Sequence, residues 1–226
     1  MNRFTQIATD PEILAVYKAV ADFEDLDEGW AHHDFRHVSN VAEMVESLLT
    51  AMNCSEFLIE EAKIAAILHD VGAAQGKEGH AQRSAEFAAD YFERNAFVLL
   101  HKEEVLEAIR IHSDGFETDN LLALVLILSD KLDIKYTRVA KAGREVVGMR
   151  QMCHIKDITT TLKQKDLTID FICAPSINRQ ELEEFYFTKK VFRAIDSFAY
   201  KLHLCATVRF NGEVWQPYNN EKSLSH

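Results

Sequence analysis

The stretch Ala65-Ala66-Ile67-Leu68-His69-Asp70-Val71-Gly72 limits this chain more than any other. An apolar helical run ends in a histidine and an aspartate side by side, and a glycine follows. Adjacent residues on a helix point about 100° apart. The pair therefore reaches one ion from two sides only where that ion sits close against the helix end. An ionised aspartate buried beside an imidazole is costly unless a cation or good partners compensate. A metal ion is the simplest compensation. A His-Asp dipeptide also arises on ordinary surfaces, so the rest of the chain has to decide.

The chain has 226 residues, 47% hydrophobic and 27% charged, which suits a globular protein of one large domain, or one domain with an appendage. Acids exceed bases, 36 to 25, for a net charge of −11. That balance speaks against a nucleic-acid polymer as partner. A small phosphorylated substrate stays open, because a metal and a few local cations can reverse the potential inside one cleft. Cys54, Cys153, Cys173 and Cys205 are far apart without a C-x-x-C, and read as reduced thiols. The first residues lack a signal-peptide core, and the longest apolar run, Leu121 to Leu128, is too short to span a bilayer. The expectation is a cytoplasmic chain with no membrane partner.

Thr9-Asp10-Pro11-Glu12 starts a helix. Phe23 to Trp30 reads as an acidic loop. His33-Asp34-Phe35-Arg36-His37 leads into a second helix with Val38, Val41, Val45, Leu48 and Leu49 on one face. Ser55 caps a third, ending at His69. Gly72 to Gly79 reads as a flexible loop, His80 to Asn95 and Lys102 to His112 as two more helices. Asp119 is the expected cap of a sixth that continues to about Tyr136. The pattern then changes near Val147–Met152. Ile155 to Leu162 and Leu167 to Cys173 read as a hairpin. Asn178 to His203 reads as one long amphipathic helix, and Ala206 to Trp215 as a second hairpin with a type I′ turn at Asn211-Gly212. The expected fold is mainly α: a helical metal-binding domain over residues 1–148, and an α+β appendage over 149–226 with a small antiparallel sheet and a helix.

Other histidines and acids stand at predicted helix ends: His37, His80, His112, and Asp130 in Ser129-Asp130-Lys131. Helix ends cluster at the rims of bundles, where ligand sites lie. Imidazoles and carboxylates suit Fe, Mn, Zn or Ni, with Mg as the harder alternative. His37, His69, Asp70 and Asp130 would hold one ion. Asp70 could bridge to a second, completed by His80 and His112, with the ions about 3.5–4 Å apart.

The order of these motifs resembles the HD superfamily of metal-dependent phosphohydrolases. The resemblance rests on His37-Val38-Ser39-Asn40-Val41-Ala42, the His69-Asp70 doublet and Ser129-Asp130-Lys131, from about Asp10 to Arg138. Gly79-His80-Ala81 and Ile109-Arg110-Ile111-His112 resemble its five-histidine, two-metal branch. The family commonly has a lysine soon after the His-Asp-x-Gly turn; here Ala73 takes that position and Lys77 comes later. His33, four residues before His37, resembles the spacing of cyclic-nucleotide phosphodiesterases, whose first histidine protonates the leaving group. A histidine near its ordinary pKa suits that task, although i,i+4 histidines also occur on exposed turns. Lys131 and Arg138 are candidate phosphate contacts, or cations complementing a helix C-terminus. Phe185, Tyr186, Phe187, Phe192, Phe198 and Tyr200 recur at helical spacing and read as core.

The resemblance implies hydrolysis of a nucleotide or other small phosphate ester through a metal-activated hydroxide, with Asp70 and His33 as catalytic residues. The same ligands would serve a di-iron oxygenase of HD type, or a regulatory binding module whose site is silent. Edge strands of the tail could pair with a second copy of the chain.

Overall fold

Side-chain caps open the helices. In the computed structural model, which describes residues 2–26 and 29–218, Asn2 accepts from the Thr5 amide and starts α1 (Arg3–Ala8). Asp10 accepts from the Glu12 amide at 2.7 Å and starts α2 (Pro11–Leu26). Asp34 caps α3 (Phe35–Ala51), and Ser55 caps α4 (Glu56–Leu68). α5 (His80–Arg94) and α6 (Lys102–Ile111) follow. α7 (Leu121–Leu132) is buried on all sides from Leu122 onward, as expected of a helix apolar all round.

Four expectations are corrected here. α2 runs to Leu26, because Glu24 is drawn inward to bond the backbone of His33 at 2.8 Å. The cap of α7 is Asn120, whose side chain accepts from the Leu122 amide at 2.9 Å, while Asp119 pairs with Lys201. α7 stops at Leu132, well before Tyr136, since the Asp133 amide folds back onto Ser129 and Asp130. Val71–Gln75 is a largely buried 3-10 turn instead of open loop. At Gly72 a Cβ would lie 2.4 Å from the His80 carbonyl oxygen, so only glycine allows α5 to start so close.

Beyond α7 the chain makes 3-10 turns at Tyr136–Arg138, Ala142–Glu145 and Met149–His154. β1 (Ile155–Lys163) and β2 (Asp166–Cys173) form the expected antiparallel hairpin. β3 (Cys205–Phe210) turns through Asn211 and Gly212, both at positive φ as a type I′ turn requires, into β4 (Glu213–Val214). The sheet order is β1-β2-β3-β4, but β2 and β3 are parallel, so the sheet is mixed. A parallel pair needs a crossover, and the helical segment between the strands supplies it.

That segment is two helices, not one: α8 (Arg179–Glu184), capped by Asn178, and α9 (Tyr186–Lys201). Phe185 between them is extended, with ψ 127°. Its ring lies over Gly148, where a Cβ would come within 2.5 Å of it. α9 packs on α7 and β1 on α3. One apolar cluster therefore runs from Ile7 to Tyr218, across the turns where the sequence pattern changes. The four cysteines form no disulfide. Among the described residues, no helix is long and apolar enough to cross a membrane.

Candidate metal centre

Five helices send a terminus to one point. His37 lies in the first turn of α3, His69 is the C-cap of α4 with Asp70 next, and His80 opens α5. His112 is the C-cap of α6, and Asp130 lies in the last turn of α7. All six are buried.

Each imidazole is oriented through Nδ1. His69 donates to the Ala66 carbonyl at 2.7 Å, His80 to Lys77 at 2.6 Å and His112 to Ile109 at 2.8 Å. His37 Nδ1 meets the Asp133 carboxylate at 2.7 Å, and Asn40 donates to the other oxygen of Asp133 at 3.1 Å. With the proton on Nδ1, every Nε2 presents a lone pair to the centre.

What those lone pairs face is decisive. Asp70 Oδ2 is 3.2 Å from His69 Nε2 and 3.5 Å from His37 Nε2. Asp70 Oδ1 is 3.2 Å from His80 Nε2 and 3.5 Å from His112 Nε2. Asp130 Oδ1 is 3.2 Å from His37 Nε2, and the Nε2 atoms of His80 and His112 are 3.0 Å apart. Lone pairs converge on lone pairs and carboxylate oxygens, an arrangement stable only around positive charge. Among the described residues, the buried side-chain nitrogens and oxygens without a partner are His37 Nε2, His69 Nε2, both oxygens of Asp70, and Ser129 Oγ. Four of these five atoms are in this cluster.

The titration tendencies agree. Burial opposes charge on His69, yet the Asp70 and Asp130 carboxylates outweigh it and push its pKa up to about 10. Asp70 and Asp130 are held well below the usual carboxylate range despite burial, Asp70 chiefly by His69 and Asp130 chiefly by Lys131. Burial pulls His112 down to about 4. The cluster calls for a cation at its centre, and a divalent metal fits the donor set. Three groupings bring ligand atoms within 4.8 Å of one another: His37, His69 and Asp70; His69, His112 and Asp130; Asp70, His80 and His112.

A cavity of about 360 Å³ opens in front of the centre, lined by His33, Lys77, His112, Asp130, Lys131 and Arg138 among others. Lys131 Nζ is tied to Asp130 Oδ2 at 2.6 Å, and Arg138 reaches 3.8 Å from Asp130 Oδ1. Lys190, from α9, lines the same cavity. His33 precedes the cap Asp34, so it lies outside the helix that carries His37. Its Nδ1 is hydrogen-bonded to Glu24 Oε1, and its ring centroid is 6.0 Å from that of His37. Burial, then the Arg138 guanidinium, hold His33 well below its ordinary pKa, contrary to the value expected of a neutral-pH acid. Burial raises the Glu24 carboxyl to about 7.

Residues 34–135 match the HD domain family model. The span holds all six converging residues. This chain carries an HD domain. A predicted HD superfamily hydrolase from an uncultured Thermotogales bacterium is similar in structure, with 26% sequence identity, 64% of this chain and 88% of that chain covered, and a TM-score of 0.43. A search of curated proteins finds no match. Arg138, Lys190, Glu24 and His33 all stand outside the matched HD span.

Glu24, Asp133 and Lys190 belong to none of the motifs that mark the centre in the sequence. Asp133 carried a signal in its i,i+3 spacing from Asp130; Glu24 and Lys190 carried none. The HD domain's His37 depends on Asp133 for its orientation. Asp133→Asn is therefore expected to lower metal affinity about 10- to 100-fold, measured by competition against a chelator of known affinity.

Proposed function

We propose that this chain is a metal-dependent phosphohydrolase acting on a nucleotide or another small phosphate ester. The observation that carries the reading is Asp70, whose two oxygens face separate histidine pairs, His37 with His69 and His80 with His112. One or two divalent ions bound there (Fe, Mn, Zn, Ni or Mg) would activate water and neutralise phosphoryl charge.

The chain's own residues supply the rest. Lys77, Lys131, Arg138 and Lys190 line the cavity before the centre. They give a locally positive field in a protein of net charge −11 and draw in a phosphate group. Arg138 is held for that role by its guanidinium bonding the His32 carbonyl. Glu24 and His33 move a proton together. When the Glu24 carboxyl donates to Nδ1 of His33, Nε2 carries a proton for the leaving oxygen. With a Glu24 pKa of about 7, that form is populated at neutral pH.

The test is hydrolysis of p-nitrophenyl phosphate and bis(p-nitrophenyl) phosphate by purified protein, before and after chelation, and again after Mn is restored. Activity should fall to background on chelation and return with Mn. Hydrolysis that proceeds equally fast in the chelated protein overturns the reading. Substrate-dependent oxygen consumption by iron-loaded protein, without hydrolysis, makes the site an oxygenase instead.

A further inference from the structure

A second cavity, of about 380 Å³, adjoins the first and shares His33, Lys77, His80, Arg138 and Phe187 with it. Its character changes away from the shared wall. There the lining is Trp30, Met149, Met152, Phe185 and Tyr186, with Phe23 from α2. Of these, Met149, Met152, Phe185 and Tyr186 come from beyond residue 148; the rest of the lining includes Ala73, Ile134 and the Glu24 carboxylate that bonds His33. A pocket of this size with apolar walls and polar groups gathered at one end matches the usual form of a small-molecule site.

The apolar wall is built, not incidental. The break at Phe185 interrupts the helix so that three consecutive aromatics reach one cavity; Phe185 and Tyr186 meet edge to face, with centroids 4.8 Å apart. Phe185 is seated on Gly148, whose amide donates to Glu181 Oε1 at 2.7 Å, and Glu181 also pairs with Arg150. On the facing side the Trp30 carbonyl accepts from the Ala140 amide at 3.0 Å. A Cβ on Gly143 would lie 2.2 Å from that oxygen, so the two segments touch through backbone. Trp30 is nevertheless 48% exposed and Tyr186 57%. Two large rings, fixed at the backbone, stand open to solvent at the pocket.

We infer that this second cavity receives the non-phosphate half of the substrate, and that this half is an aromatic ring or a flat apolar group of similar size. The inference rests on the phosphate-ester reading for the charged end. Lys77 and Arg138 stand where the two cavities join, so a ligand with phosphate at one end and a ring at the other spans both. Trp30, Tyr186 and their neighbours then set substrate choice, and the segment after residue 148 is the specificity wall of the HD centre. Aromatic faces accept many rings because stacking does not read hydrogen-bond patterns.

Two non-hydrolysable probes test this, phenylphosphonate and methylphosphonate, titrated calorimetrically into the metal-containing protein. Phenylphosphonate should bind at least about tenfold more tightly. Tyr186→Ala and Trp30→Ala should each cut that ratio about fivefold; both side chains are exposed enough for the variants to fold. Phenylphosphonate should also change the tryptophan emission, since Trp30 is at the pocket and Trp215 is fully buried. A ratio near one, or a ratio that neither substitution changes, overturns the inference. Ring-selective binding without hydrolysis of any phosphate ester would leave the slot standing and remove the phosphohydrolase reading. Hydrolysis with a ratio near one would do the reverse.

Discussion

Asp70→Asn is expected to remove all bound metal and to lower phosphate-ester hydrolysis at least about 10³-fold, the scale on which a concerted catalytic unit fails when one member is lost. The residue is 1% exposed, and neither side-chain oxygen has a hydrogen-bond partner. An amide in its place deletes the negative charge and turns one oxygen into a donor. One histidine pair would then meet N–H groups where it faced a ligand. His80→Ala and His112→Ala should behave differently. Of the two Asp70 oxygens they approach Oδ1, so each should cost one ion and leave the other with His37, His69 and Asp130. Elemental analysis of the purified variants reads the stoichiometry. Full metal content in Asp70→Asn would show that the bridge is not the anchor. Wild-type content in both histidine variants would reduce the centre to a single ion.

Stripping the metal should lower the melting temperature by about 10 °C. An ion present at a thousandfold excess over its dissociation constant stabilises the folded state by about 4 kcal/mol. For a chain of this length each kcal/mol is worth about 2–4 °C. The physical source is the set of buried lone pairs and carboxylates that otherwise face one another without a cation. Protons compete for the same nitrogens, so the gap between loaded and stripped protein should widen with rising pH. Calorimetric scans before and after chelation measure it, and an unchanged midpoint would rule out a buried ion.

The helices were legible because their signals are local. Ser55 announces a cap, and the apolar spacing of α3 follows from its own residues. The six converging residues stood out for a related reason: each is polar and stands near a predicted helix end, where a helix must hand over to the next element. Contacts settled by distant chain were not legible. Glu24 looked like one acid among several, and only its bond to His33 draws it inside. The aromatic spacing runs straight through Phe185, so nothing local marks the helix break that Gly148 accommodates. That break also divides the aromatics read as core. Phe192 and Phe198 are buried, while Tyr186 and Tyr200 are exposed. The parallel pairing of β2 with β3 escaped a reading built on hairpins, because it joins strands separated by two helices. Asn120 took the cap from Asp119 by a shift of a single residue, within the ordinary uncertainty of helix ends.

The anchoring of the imidazoles has a bearing on how this centre can be broken. His69, His80 and His112 each donate Nδ1–H to the carbonyl three residues earlier in the chain. A carbonyl belongs to the backbone, and no single side-chain replacement at Ala66, Lys77 or Ile109 deletes it. These three rings carry their own alignment wherever their helix ends go. His37 alone leans on another side chain, Asp133. The centre thus has one mutable hinge pin among four, and random substitution outside the ligands would find its weak point there.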